Sequence, residues 1–394
     1  MPPLWPIVLA GASAFLNLYA TQPLLPLFAR VFHASPFAVG LTVTAPTVGV
    51  AIFAPLVGRL ADTVGLRRVI VGSAFLLAAA TLLAATSTTL AQLIAWRFAQ
   101  GVVTPGVFAS SVAYIHEMWP ADRAGRATAA YMSGTIVGGF VGRASAGLIA
   151  SFADWHLAFV FLAGAALVIA VGLWRWLPPE KYQVRARYVP GTYLVPTWHR
   201  AVALGRNRRL VATWAIGFCV LFTNVAMFTY VTFHLAAAPY GLSSAALGWL
   251  FLVYLVGAVV TPLSGPAIDR YGHRAGLAAA MAIGATGALL TLAPSLAAII
   301  AGLALSSTGV FIAQTTTSSY IGAVTATDRG LAVGLYSTCY YAGGSAGGAA
   351  PALIWDAAGW AGCVALVVAI QAAGTIIAVA AWTPGTPDAR PATL

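Results

Sequence analysis

The sequence predicts an all-α membrane protein of twelve transmembrane helices, arranged as two six-helix pseudo-symmetric bundles. Three observations carry that expectation. The chain is 60% hydrophobic and only 7% charged, against roughly 25% charged residues in soluble domains. Apolar runs of about 20 residues recur from end to end, each long enough to cross ~30 Å of hydrocarbon as a helix. Groups of residues in the first half also return in the second half at a nearly constant offset. Every backbone polar group in lipid must be satisfied internally, which leaves helical bundles and closed barrels. These runs are far longer than the roughly ten-residue alternating strands of a barrel.

The expected spans are 4–29, 36–57, 69–86, 89–117, 126–150, 156–177, 210–236, 244–264, 275–293, 295–321, 330–353 and 360–382. No basic residue precedes the first, and its apolar run continues past Ala12-Ser13-Ala14, so it is read as a retained helix and not a cleaved signal. Residues 178–209 are basic, proline-containing and too polar to span; within them 197–206 can form a short amphipathic helix or a plain loop. The chain therefore divides into residues 1–177, a linker 178–209, and residues 210–394.

Charge gives the orientation. Of the 20 lysines and arginines, Arg97 and Arg143 fall inside spans and Arg30 lies in a loop on one side. The remaining basic residues lie on the other side, which the positive-inside rule makes cytoplasmic, with both termini. The net charge of +11 is thus topological and suits an anionic leaflet; it does not call for nucleic acid. Cys219, Cys339 and Cys363 fall inside spans without metal-ligand or disulfide spacing. No zinc motif, phosphate-binding loop or nucleophile elbow is present, so neither an enzyme nor an ATP-driven pump is expected, and no cofactor or metal.

The offset is simple arithmetic. Adding 207 carries Asn17 to Asn224, Pro55 to Pro262, Gly58 to Gly265, Asp62 to Asp269, Gly65 to Gly272 and Arg67 to Arg274. With a small slip, Gly138-Gly139 and Gly142 map to Gly343-Gly344 and Gly347. A repeat with an even number of crossings is parallel, related by an axis along the membrane normal.

The segment Gly58-x-Leu-x-Asp62-x-x-Gly65-x-Arg67-Arg68 resembles the signature loop of the major facilitator superfamily, and Gly265–Arg274 is similar to its degenerate second copy. Arg97-Phe-Ala-Gln-Gly101 resembles the helix-four motif of the drug:proton antiporter branch. Gly134-Thr-Ile-Val-Gly138-Gly139-Phe-Val-Gly142 falls where that branch carries a glycine-rich motif, although its usual Gly-Pro is missing and Arg143 stands at its end. The resemblance implies a secondary transporter of a small solute in the bacterial inner membrane. Efflux by proton antiport, as in multidrug resistance, is the leading expectation; uptake, facilitated passage or anion exchange is the alternative. A monomer is expected, since each half supplies the other's packing surface.

Gly58, Asp62, Gly65, Arg67 and Arg68, with Gly265, Asp269, Gly272 and Arg274, are expected to form a conformational latch. The glycines permit a tight turn and close helix approach, and the aspartate can pair with an arginine or cap a neighbouring helix. The candidate substrate ligands are Asn17, Tyr19, Gln22, Arg97, Arg143, Asn224, Tyr230, Gln314 and Tyr340, with Tyr336 and Tyr341 nearby. Amide and phenol groups orient a small solute while aromatic faces cover its apolar part. An arginine at a helix centre costs roughly 2.5–3.5 kcal/mol, and no carboxylate lies deep in these spans to pair with it. Arg97 and Arg143 either hold an anionic group of the solute or bond carbonyls and hydroxyls of the protein. For proton coupling the candidates are Arg97, His116, Glu117 and His234.

Overall fold

A computed structural model describes residues 3–180, 197–325 and 329–382; the side chains of 58, 59, 62, 121, 122, 197, 198, 262 and 329 lie outside the described set. The chain is helical throughout, with no strand among the described residues. In order the helices are α1 (Trp5–Leu16), α2 (Leu25–Val31), α3 (Pro36–Val64), α4 (Leu66–Ala84), α5 (Leu90–Met118), α6 (Ala121–Phe152), α7 (Trp155–Trp176) and α8 (Thr197–Gly205). They continue as α9 (Arg208–Ala236), α10 (Ser244–Leu250), α11 (Val253–Val260), α12 (Gly265–Tyr271), α13 (His273–Leu290), α14 (Leu296–Val324), α15 (Arg329–Ala349) and α16 (Ala352–Ala381).

Eight of these are long and apolar enough to cross a membrane, and the bent run from Ser244 to Tyr271 makes a ninth. The three remaining expected spans are interrupted or rich in small residues: α1 with α2, α13 and α15. Large apolar side chains such as Leu76, Phe152, Val168, Val259 and Ile376 are exposed on helix faces, as contact with lipid requires.

Two spans expected to be continuous are broken. The first stops at Leu16, passes through turns at 17–21 and a single 3₁₀ turn at Gln22–Leu24, and resumes as α2. Pro23 and Pro26 lack the amide hydrogens that a continuous helix needs, so carbonyls near the break must find other donors. The eighth breaks after Leu250 and again at the 3₁₀ turn Thr261–Ser264, beside Pro262 and Pro266. A further kink lies in α16, where Gly359 takes φ 55°. Residues 197–205 do form a helix.

The signature segment is not a loop. Residues 58–64 are the last turns of α3, and the chain turns only at Gly65, whose φ is 100°. Gly272 does the same between α12 and α13 with φ 84°. In both, the glycine amide donates to the carbonyl four residues back, Ala61 at 2.9 Å and Ile268 at 2.8 Å. A left-handed φ is available to glycine without a Cβ penalty.

The chain forms two compact units, residues 1–190 with Phe228–Leu252, and residues 191–227 with 253–394. In the first, Gly134, Gly138 and Gly142 on one face of α6 lie against the backbone of α1, where a Cβ would fall on Val8, Ala12 and Leu16. In the second, Gly343 and Gly347 of α15 meet the Phe218 and Phe222 carbonyls of α9 in the same manner. The two halves thus share a turn and a helix contact as well as a sequence pattern.

Candidate functional site

The break in the first span organises the polar interior of the first unit. Arg97 on α5 is fully buried, and its two terminal nitrogens reach the broken segment. Its Nη1 donates to the Asn17 carbonyl at 2.8 Å, its Nη2 to the Leu18 carbonyl, and its Nε to the Thr42 carbonyl of α3 at 3.0 Å. Nη1 also donates to Gln100 Oε1, one turn along α5, and Gln100 Nε2 donates to Thr81 Oγ1 of α4 at 2.8 Å. One cation therefore satisfies carbonyls released by the break and ties four helices together. A planar fork with five donors suits this task, and lysine does not.

Arg143 is set differently. It is 4% exposed on α6, at the end of the glycine-rich run, and its Nε donates to Gln22 Oε1 at 2.8 Å. Its Nη1 donates to the Gly139 carbonyl at 2.7 Å. The guanidinium carbon lies 5.0 Å from the Tyr19 ring centre and 4.7 Å from that of Phe251, within the range of cation–π attraction. Gln22 in turn donates to Thr229 Oγ1 at 3.3 Å. Arg143 and Arg97 are the charged residues among the buried polar groups, and no buried carboxylate joins them among the described residues.

The broken helix also carries polar atoms that nothing among the described residues satisfies. Asn17 is 1% exposed, and neither its amide oxygen nor its nitrogen has a hydrogen-bond partner. The hydroxyls of Ser13 on α1 and Thr21 in the break, both fully buried, are likewise unpartnered among the described residues. Buried polar groups are normally paired, so orphans aligned along one broken helix mark a place where a ligand or water can bind. Tyr19 and Gln22 lie on the same broken helix but meet Arg143, whereas Tyr230 is buried beside Phe233, ring centres 6.0 Å apart.

In the second unit, Asn224 Oδ1 accepts from the Tyr254 hydroxyl at 3.4 Å. Tyr340 stacks on Tyr336 at 5.8 Å and meets Tyr341 edge-on at 5.4 Å, forming a tyrosine cluster on α15. Gln314 is half-buried on α14. His116 is exposed at the end of α5, with Glu117 half-buried beside it, and His234 lies in the last turn of α9 near Tyr240.

At the turn between α3 and α4, the Asp62 side chain and the surroundings of Gly58 lie outside the described set. The acid that caps α4 is Glu180. Its carboxylate accepts from the Arg67 amide and lies against Gly65. The Arg67 side chain reaches the end of α7, donating from Nε to the Leu177 carbonyl at 2.7 Å and from Nη2 to the Trp174 carbonyl at 2.6 Å. Tyr114 of α5 donates to the Pro178 carbonyl at 2.6 Å. Arg68 and Asp269 are exposed, and Gly265 and Arg274 half-buried. Sequence reasoning placed Glu180 in the linker and missed Thr229 and Phe251. Two prolines directly before Glu180 were the available signal for a fixed end.

The family model of the Major Facilitator Superfamily matches residues 7–238 and 216–394. The uncharacterized MFS-type transporter YybF of Bacillus subtilis is 32% identical, over 95% of this chain and 91% of its own. The inner membrane transport protein YnfM of Escherichia coli is 29% identical, over 91% of this chain and 85% of its own. Among solved structures, the nucleoside transporter NupG superposes with a TM-score of 0.77 at 13% identity, over 96% of this chain and 100% of that one. The human organic anion transporter MFSD10 gives 0.70 at 18% identity, with the same coverage.

Proposed function

The chain belongs to the major facilitator superfamily and is a membrane transporter of a small molecule, and we propose that it exports an amphipathic or anionic organic solute across the inner membrane by alternating access. In this reading Arg143 supplies the positive charge that attracts the solute. Asn17, Thr21 and Gln22 orient it, and Tyr19 and Phe251 cover its apolar part. Tyr230 is a further aromatic candidate of the same unit, and within the second unit, taken by itself, Asn224, Gln314 and Tyr340 are the candidate solute contacts. Arg97, whose donors already meet protein acceptors, holds the broken helix in register as a positioning residue. The single observation that carries the proposal is a buried arginine with no buried carboxylate, lodged between two aromatic rings beside unpartnered amide and hydroxyl groups.

Efflux by proton antiport is the energetic reading that the resemblance favours, with His116, Glu117 and His234 as the titrating candidates. The lack of a buried carboxylate among the described residues favours a second reading, anion exchange or facilitation without a coupled proton. Proteoliposomes separate the two. Antiport requires uptake of a labelled organic anion into inside-acidic vesicles to exceed uptake without a gradient. Exchange requires the same rate with and without the gradient, and acceleration by unlabelled anion on the far side.

A further inference from the structure

The second unit carries a cavity that the transport reading does not use. Where α8 turns into α9 and α14 ends, Arg206, Asn207, Arg208, Arg209, Ala323 and Val324 line a space of about 450 Å³. Asn207 builds its floor: Oδ1 accepts from the Arg209 and Leu210 amides at 3.1 and 3.3 Å, and Nδ2 donates to the Val324 carbonyl at 3.5 Å. Leu204 of α8 anchors the turn on Leu210, Ile321, Ala332 and Tyr336. The polar side chain of the turn is thus spent on holding the backbone, and the three arginines are left over.

Their side chains are exposed, and none has a hydrogen-bond or ion-pair partner among the described residues. Three like charges within four residues repel one another unless an anion sits among them. Guanidinium forks match the oxygens of a phosphate. The position selects the source of that phosphate. Val211, one turn into the membrane-spanning α9, and Val202 of α8 are both exposed apolar side chains flanking the arginines. A ligand here therefore meets charge at the helix ends and an apolar surface beside them, which is the pattern of a lipid.

We propose that this cavity binds the phosphate of an anionic phospholipid headgroup, with Arg206, Arg208 and Arg209 as its ligands and the acyl chains lying along α9. Three basic residues at a membrane surface correspond to a preference on the order of a hundredfold for anionic over zwitterionic lipid. The test is native mass spectrometry of the full chain in neutral detergent, titrated with phosphatidylglycerol or phosphatidylcholine, alongside melting curves with each lipid and with inorganic phosphate. The expected result is selective retention of phosphatidylglycerol and a melting point raised by it alone. In an Arg206→Gln/Arg208→Gln/Arg209→Gln variant the selectivity should vanish while the lipid-free melting point stays unchanged. Equal retention of both lipids, or selectivity surviving in the variant, overturns the proposal. So does equal stabilisation by inorganic phosphate, which would make this a free-anion site. Should the triple variant not fold, Arg206→Gln alone, outside any helix, must still lower the selectivity severalfold; unchanged selectivity overturns the proposal there too.

Discussion

Arg97 and Arg143 are both buried arginines in a membrane span, yet their neighbours give them different work. Arg97 faces backbone carbonyls of Asn17 and Leu18 in the break and of Thr42 in α3, acceptors fixed in the main chain. Replacing it with alanine leaves several acceptors unsatisfied in a low-dielectric interior, each costing about 1–3 kcal/mol. We expect Arg97→Ala to lower the melting temperature sharply and to abolish transport together with stability. Arg97→Lys should recover only part of it, because one ammonium cannot reach acceptors in the break, on α3 and on α5 at once. A melting point unchanged in Arg97→Ala would show that the carbonyls at the break find other donors. Arg143 instead sits among aromatic faces and a glutamine side chain, groups that can rearrange around a solute. Its removal should cost binding more than stability.

At the scale of elements, the molecule depends on helices brought close by glycine and on ends held by single residues. A Cβ at Gly142 would fall on the Leu16 carbonyl, and one at Gly347 on the Phe222 carbonyl. Gly142→Ala and Gly347→Ala should each destabilise by about 1–3 kcal/mol through forced separation of the packed helices. Gly164→Ala, in α7 with nothing within 4 Å of the new Cβ, should be neutral or stabilising by up to ~1 kcal/mol. Melting curves of the three variants check the contrast, and equal effects would contradict it. Glu180 is the corresponding device at a helix end: Glu180→Ala removes the cap of α4 and should cost about 1 kcal/mol. It should also speed proteolysis between α7 and α8; an unchanged cleavage rate would mean that Arg67 and Tyr114 hold this end unaided.

These elements show what the sequence could and could not say. Hydropathy located most of the long helices within a few residues, because burial in lipid acts on every residue of a span, but α3 runs on to Val64 and α16 begins at Ala352, before the kink at Gly359. The glycine repeats announced both the turns at Gly65 and Gly272 and the contacts of α6 and α15, since only glycine tolerates such geometry. The breaks of the first and eighth spans were less legible, although Pro23, Pro26, Pro262 and Pro266 stood in plain view. An apolar run looks the same whether or not its helix is continuous. The partners of Arg97 were hidden for a related reason: a backbone carbonyl has no letter of its own, so its role as an arginine ligand leaves no trace in composition.

At the scale of the whole molecule, two halves with matching turns and matching glycine contacts make a transporter of the major facilitator superfamily. In the proposed reading, a handful of side chains around the broken first span selects the solute. In that reading Arg143 provides the charge that holds an anionic solute. The most direct measurement is ligand-induced stabilisation of the purified full chain by matched organic anions, cations and neutral solutes, repeated on Arg143→Gln. Stabilisation by anions alone is expected in the parent protein, with apparent affinity reduced at least tenfold in the variant, as for losing a charge-assisted contact of about 1.5–3 kcal/mol. Stabilisation by cations or neutral solutes, equal in the two proteins, would contradict it.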